Sequence, residues 1–574
     1  MFRLFRFLKG YEKESLLGPL FKFFEATLEL FVPLVVASLI DIGIGEGKTG
    51  YSVKMFFALV LLGTLGLAFS LIAQFFAAKA AVGFVKKIKQ ALFSHIQTLS
   101  YAEIDELTTS ALITRMTSDM NQVQSGMNMA LRLLLRSPFV VSGAFLMTWI
   151  IDPEVAKIFG FTILGLIFVV FGIIFMTVPL YRSVQQKLDK VLSATRENLL
   201  GVRVVRAFGL EKKEEEEFGE RQKTLTITQK FVGNISGLLN PLSYTVINLG
   251  VALLIWKGAL QVEYGMLTQG AVVALYNYMA QILEELVKLA NTIILLTKMI
   301  ASGNRIQAVF ELESTQNYPK TTAQKSYEDK PFLSVEEVSF RYKKTGEDAL
   351  KKITFSANKG EIIGIIGGTG CGKTSLVNLI CRFYDATSGS IIIDGIKAED
   401  YSKEEIRKRI ALVPQKSILF YGTIAENLRW GKKDAAEEEI WNALRIAQAE
   451  DMVKEKVQGL ETLVEQRGRN LSGGQKQRLC IARALMKKAD ILILDDSSSA
   501  LDYATDAAFR KALREMEERP LILMVSQRAS SLMDADRILV LEDAEAVGWG
   551  THEELLRNCE TYQEIYQSQY KKEE

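Results

Sequence analysis

Residues 362–380 read IIGIIGGTGCGKTSLVNLI. An apolar, β-branched run ends in Gly367-Gly368-Thr369-Gly370-Cys371-Gly372-Lys373-Thr374, and an apolar helical pattern opens at Ser375. Strand, glycine-rich loop and helix in that order make a phosphate cradle. Glycines let backbone N–H groups close around phosphate oxygens, Lys373 brings positive charge to the outer phosphates, and Thr374 offers a hydroxyl to Mg²⁺. The bare pattern arises by chance in about one chain in fifty of this length, and its strand–loop–helix context lowers those odds much further.

Outward from this loop, short β-rich runs alternate with helices, as in VEEVSFRY, IALVPQ, ILILDD and LILMVS, so residues 331–574 read as one α/β domain. A polar linker, 312–330, with Pro319, precedes it. The strand Ile491–Leu494 ends in Asp495, a carboxylate suited to hold a metal. All four cysteines, Cys371, Cys381, Cys480 and Cys559, lie in this part, widely spaced and without a C-x-x-C pair, as in a reduced cytosolic domain. The only histidines, His95 and His552, are too far apart to suggest a metal cluster.

The remainder, 1–311, is of another kind. Apolar stretches at 16–42, 54–80, 133–151, 158–181, 234–256 and 266–295 each approach the roughly 20 residues that cross hydrocarbon as a helix. Basic residues cluster at the N-terminus (Arg3, Arg6, Lys9, Lys13) and in two long connections (Lys86, Lys87, Lys89, Arg115; Arg182, Lys187, Lys190, Arg196, Arg203, Arg206). By the positive-inside bias these loops and both termini are cytoplasmic. The loops are helical in pattern, so the spans continue beyond the bilayer. Residues 1–10, MFRLFRFLKG, suit a short interfacial helix, and the apolar region that follows is too long and too charged for a cleavable signal peptide. Lys212 through Glu217 reads as a solvated helix face. Glu25 and Glu29 share a helical face inside the first span, and Glu284 and Glu285 fall in the sixth, with Glu284 and Lys288 spaced to pair. Acids at that depth face a cavity or a partner, and for Glu25 and Glu29 both a cavity lining and a helix-packing role remain open.

Composition agrees with two unlike parts. Of 574 residues 48% are hydrophobic and 24% charged, too apolar for disorder and too charged for a chain wholly in lipid. The 69 Lys and Arg nearly cancel 67 Asp and Glu, leaving +2, so no electrostatic footprint for nucleic acid exists.

Between the two phosphate-side motifs lies Leu471-Ser472-Gly473-Gly474-Gln475, followed by KQRLCIARAL. With it the motifs resemble those of ATP-binding cassette (ABC) transporters. Walker A is 367–374, the glutamine loop Val413-Pro414-Gln415, the LSGGQ signature 471–475, Walker B 491–495 and the D-loop Ser499-Ala500-Leu501-Asp502. Six spans before one cassette resemble an exporter half-transporter along the whole chain. The implied fold is an all-α six-helix transmembrane domain followed by an α/β P-loop NTPase domain. The resemblance implies ATP and Mg²⁺ held by Gly367 through Ser375, with Thr374, Gln415 and Asp495 at the metal. It implies further that Tyr342 stacks on adenine, although a tyrosine of the strand core fits the same pattern. It also implies that Ser472, Gly473, Gly474, Gln475 and Asp502 serve nucleotide at a composite site, each signature completing the other chain's Walker A, and that loops near 101–112 and 197–208 touch the cassettes.

Three positions depart from the pattern. Asp496 stands where the family has the Glu that deprotonates the attacking water; its side chain is shorter by roughly 1.5 Å, and misplacement of about 1 Å costs on the order of 10²-fold in rate. Gln527 replaces a His that contacts the γ-phosphate, and an amide carries no positive charge. Gln466 stands where similar proteins often have Glu. Walker A and LSGGQ are intact. The chain therefore resembles the degenerate subunit of bacterial heterodimeric multidrug exporters, moving amphipathic drugs or lipids across the cell membrane with a second, non-identical half-transporter. A homodimer of slow turnover and a nucleotide-gated regulatory subunit are the alternatives.

Overall fold

The computed structural model describes residues 1–325, 327, 330–342, 346–497 and 501–570. These form two units: Met1–Gln97 with Thr108–Leu312, and Thr98–Leu107 with Glu313–Glu574.

In the first unit six helices are long and apolar enough to cross a membrane: Glu12–Ile44, Thr49–Ile96, Thr109–Ile151, Pro153–Ala207, Glu211–Glu263 and Gln269–Phe310. The fourth has 55 residues, about 80 Å at the helical rise, against about 30 Å of hydrocarbon; the surplus is the helical extension foreseen for the long loops. The sixth begins at Gln269, because Thr268 accepts from the Ala271 amide as N-cap and residues 266–268 precede the helix. Between spans three and four, Asp152 caps Pro153–Ala207 by accepting from Val155 N at 2.8 Å, with Pro153 at the first helical position. Phe2–Leu8 is a short 3₁₀ segment.

Spans one and two pack through small residues. Ala73, Ala77, Ala80 and Ala81 are buried, and a Cβ on Gly18 would stand 3.3 Å from the Ala77 amide nitrogen. In lipid, where no hydrophobic drive separates helix from tail, such close approach supplies the packing. The acids within the spans are partnered. Glu25 meets Lys22 at 2.5 Å. Glu29 accepts from Arg136 at 2.5 Å, and Arg136 also binds Glu285, to which Ser137 donates at 2.8 Å and Lys288 at 3.0 Å. Lys288 reaches Glu284 as well, at 3.3 Å. Arg136, buried at 8% exposure, thus ties spans one, three and six together.

Thr98–Leu107, carrying the helix Tyr101–Leu107, groups with Glu313–Glu574 in the second unit. The second long connection is helical, as its pattern led us to expect. Residues 197–207 continue the helix Pro153–Ala207, and the chain turns at Phe208-Gly209-Leu210, where Gly209 takes φ +62°. A helix-favouring sequence runs up to the residue that needs the left-handed conformation.

Among the described residues the second unit holds twelve strands: β1 (Leu333–Phe340), β2 (Leu350–Ala357), β3 (Ile362–Gly367), β4 (Ser388–Ile393), β5 (Ile396–Lys397), β6 (Ile410–Val413), β7 (Gly422–Thr423), β8 (Leu463–Val464), β9 (Ile491–Asp495), β10 (Leu521–Val525), β11 (Arg537–Glu542) and β12 (Glu545–Gly550). One sheet has the order β12-β11-β3-β10-β9-β6, parallel except for β12; a second, antiparallel, runs β2-β1-β4-β5. In β3, Ile362 and Ile366 enter one core while Ile363 and Ile365 enter the other. β9 and β10 alternate likewise. A parallel sheet covered on both faces needs this unbroken apolar character, and its carboxyl ends collect the polar loops at one edge.

Candidate nucleotide site

Four neighbouring parallel strands, β3, β10, β9 and β6, end side by side. Their C-terminal loops deliver Gly367–Thr374, Ser526-Gln527, Asp495-Asp496 and Gln415 to one cleft. The cleft measures about 300 Å³ and is lined by Tyr342, Thr369, Gly370, Gly372, Lys373, Thr374, Ser375, Gln415, Asp495, Asp496 and Gln527, with Ala349, Val525 and Ser526.

The loop shape depends on glycine at particular positions. Gly370 and Gly372 take φ of +87° and +102°, and a Cβ on Gly372 would meet the Ala349 carbonyl at 2.5 Å. A side chain at Gly372 would be strained in backbone and would clash. Lys373 folds over the loop, donating to the carbonyls of Gly367 at 2.7 Å and Gly368 at 2.6 Å. Cys371 is buried in the core that holds Ile365 and Leu376, so only its backbone is offered to the cleft. The helix Lys373–Ile380 starts in the cleft, its first amides and partial positive charge facing the open space.

On the metal side, Thr374 Oγ1 donates to Asp495 Oδ2 at 3.3 Å. Burial raises the Asp495 carboxyl above its ordinary range, Thr374 opposes that shift, and the neighbouring Asp496 charge adds to it. A cation at this corner would be favoured, since it restores the ionised form. Hydroxyl, carboxylate and the nearby Gln415 amide oxygen are the hard oxygen donors Mg²⁺ takes, and bound Mg²⁺ would neutralise phosphate charge. Gln415 Nε2 stands 3.4 Å from Asp496 Oδ2. Asp496 itself has φ +49°, a conformation in which Asp is one of the few tolerated non-glycine residues.

Tyr342 follows β1 and is 48% exposed on the cleft wall, its hydroxyl sharing a hydrogen bond with Ser375 Oγ at 3.0 Å. It is not a residue of the strand core. Its ring meets that of Tyr384 edge-on at 5.2 Å. Tyr384 in turn donates to Asp105 of the helix Tyr101–Leu107, whose Tyr101 stacks on Phe383 at 4.4 Å. The motif reading missed both Tyr384 and Asp105.

The signature residues do not line this cleft. Ser472 is the N-cap of the helix Gly473–Leu485, its hydroxyl accepting from Gln475 N at 3.3 Å while Gln475 Oε1 accepts from Ser472 N at 3.1 Å. This reciprocal cap presents the exposed Ser472 and Gly473, with Gly474 behind them, at a helix N-terminus. Asp502 likewise caps Tyr503–Arg514, accepting from Thr505 N and Thr505 Oγ1 at 2.9 Å each. Within this chain its carboxylate is committed to the helix end. Ser499 and Ala500 of the expected D-loop lie outside the described residues.

The family description "ABC transporter transmembrane region" matches residues 15–286, and "ABC transporter" matches 350–499. The chain is 35% identical over 567 residues, 99% of its length and 98% of the relative's, to the "Uncharacterized ABC transporter ATP-binding protein YfiB" of Bacillus subtilis (strain 168). It is 31% identical to an "ATP-dependent lipid A-core flippase" of Syntrophus aciditrophicus (strain SB), covering 85% of this chain and 81% of that one. To a "Putative multidrug export ATP-binding/permease protein YgaD" of Bacillus subtilis (strain 168) it is 30% identical, covering 100% and 98%. The solved structure of a bacterial Atm1-family ABC exporter with ATP bound shares the fold, with a TM-score of 0.79 at 22% identity over 100% of this chain and 99% of that one. The phosphate cradle, the metal-side carboxylate and six membrane-crossing helices on one chain meet here with these matches: the protein belongs to the ABC transporter family, as an exporter half in which membrane domain and ATPase cassette are fused.

Proposed function

We propose that this chain is the slow-site half of a heterodimeric exporter, multi-pass in the cell membrane with both termini cytoplasmic. In this reading its own Walker A and B residues hold Mg-ATP, with Tyr342 beside the adenine, and turn it over slowly. Its exposed Ser472 and Gly473, with Gly474, complete the faster site of a partner that carries Glu and His. The single observation that carries the reading is Asp496: a carboxylate one carbon short, beside the Gln415 amide, where the family has a longer base. Gln527, an amide in the same cleft, adds a second lesion, because it can hydrogen-bond a phosphate but brings no charge to it. An intact capped signature beside a weakened hydrolytic centre is a division of labour that two unlike chains can use.

A second subunit is also supported by exposed apolar surface. The turn at Phe208-Gly209-Leu210 leaves Phe208 74% exposed, and a cleft of about 390 Å³ on the cassette presents Phe420, Tyr421 and Trp430, with Phe420 and Trp430 stacked at 4.1 Å. Surfaces of this kind mark contacts. Amphipathic drugs or lipids are the proposed cargo, in line with the names of the flippase and multidrug-export relatives.

Affinity capture of this chain from its native membrane tests the reading. A second half-transporter with Asp-Glu after its Walker B strand is the expected companion. In the recovered pair, Asp496→Glu with Gln527→His should raise ATP turnover at this chain's half-site; no change would show that other lesions dominate. Recovery of the chain paired only with itself would favour the homodimer.

A further inference from the structure

The loop that carries Gln527 is held by one side chain from the far end of the chain. Gln569, in the helix Glu560–Tyr570, donates from Nε2 to the Gln527 carbonyl at 2.8 Å, and its Oε1 accepts from the Ala529 amide at 2.8 Å. The two bonds bracket Arg528. A carbonyl on one side of a residue and an amide on the other, satisfied by one donor–acceptor pair, is how a neighbouring β-strand grips its partner. Arg528 accordingly has strand-like φ −96° and ψ 118° although β10 has ended at Val525. From the inner side, Ser526 Oγ accepts from Arg528 N at 3.0 Å, and Ser526 N donates to Ile365 of β3 at 3.1 Å.

The helix that supplies the amide is itself fixed. Tyr562 is fully buried, with its hydroxyl 2.7 Å from His552 Nδ1, and Thr561 donates to Glu542 at 2.8 Å. Its first turns are therefore anchored in the cassette core and its last turn reaches the loop.

We propose that Gln569 is a positioning residue: its side-chain amide acts as a one-residue strand that sets the backbone of 527–529 and so aims Gln527 into the nucleotide cleft. The C-terminal helix thereby sets how the half-site distinguishes ATP from ADP. The identity of the Gln527 side as the γ-phosphate side rests on the function proposed above, whereas the clamp itself does not.

Hydrogen exchange on the full-length chain in nanodiscs reads the clamp directly. Gln569→Ala should speed exchange of the Ala529 amide about thirtyfold, the loss of two ordinary hydrogen bonds. Gln569→Glu, which retains the acceptor for Ala529 but not the donor to Gln527, should leave that amide protected. Gln563→Ala is the control: this residue, on the same helix, bonds the Leu556 carbonyl at 2.8 Å instead. The second readout is the ratio of ATP to ADP affinity, which Gln569→Ala should lower with ADP affinity unchanged. Unchanged Ala529 exchange in Gln569→Ala, or faster exchange with the same ATP-to-ADP ratio, overturns the positioning role. Failure of the wild-type chain to prefer ATP at all would instead count against the γ-phosphate reading of the site.

Discussion

The Tyr384 hydroxyl donates to the Asp105 carboxylate across 279 positions of sequence, and the Tyr384 ring stands 5.2 Å from that of Tyr342. One tyrosine thus touches both the helix Tyr101–Leu107 and the residue on the nucleotide cleft wall. Tyr384→Phe keeps the ring and deletes the bond. ATP affinity should change little, while stimulation of ATP turnover by transported compound should fall about tenfold, since a hydrogen bond to a charged group contributes about 1.5–3 kcal/mol. Measuring KM for ATP and substrate-stimulated rate side by side separates the two effects.

Burial, and then the bond to Asp105, hold the Tyr384 phenol well above its usual range. Because the folded value is raised, the stabilisation is complete below the unfolded value of about 10 and declines only as pH rises through the folded one. Coupling should therefore be unaffected by this group between pH 6 and about 9; a loss in that window that Tyr384→Phe removes would contradict the assignment.

Arg136 joins Glu29 and Glu285 inside the membrane-crossing helices. Arg136→Ala removes the cation that Glu29 and Glu285 share, leaving Glu285 only Lys288 and Ser137, and should cost about 3 kcal/mol, seen as a drop in the thermal midpoint in detergent. Adding Glu285→Gln should recover part of the loss, because the uncompensated charge, more than the missing contact, is what destabilises. Additive losses in the double variant would show that the residues do not act as a unit.

The Asp495 carboxyl is raised mainly by burial. A raised folded value means that the native state holds its proton more tightly, so this group lowers stability as pH rises through the interval between unfolded and folded values. Asp495→Asn should raise the thermal midpoint of the nucleotide-free chain at neutral pH and weaken Mg²⁺-dependent ATP binding. Wild-type Mg²⁺-dependent binding should weaken on acidification sooner than an exposed aspartate would require.

Much of this was legible in the residues, for a physical reason. The phosphate loop is contiguous, and its glycines, Lys373 and Thr374 do their work through local backbone geometry, so spacing alone exposes them. The apolar spans are legible because lipid tolerates few other patterns, although ends such as Gln269 depend on a capping hydroxyl that hydropathy ignores. Arg136, a charge inside the apolar stretch 133–151, was not singled out from the sequence, because its meaning lay in partners 107 and 149 positions away. Tyr384, Asp105 and Gln569 carry no motif at all: an amide or a phenol becomes specific only when folding brings the matching group to it. The turn at Phe208–Leu210 was hidden by a helical pattern running up to Gly209.

In the proposed function a short carboxylate at 496 and an amide at 527 leave this chain able to hold ATP but poor at cleaving it. The most direct measurement is the ATP turnover of the purified full chain reconstituted alone in lipid, with nucleotide binding followed in the same sample. Saturable Mg-ATP binding with turnover below about 0.1 s⁻¹ is expected, against a median near 10 s⁻¹ for enzymes generally. Turnover of about 1 s⁻¹ or more, abolished by Asp496→Asn, would contradict it.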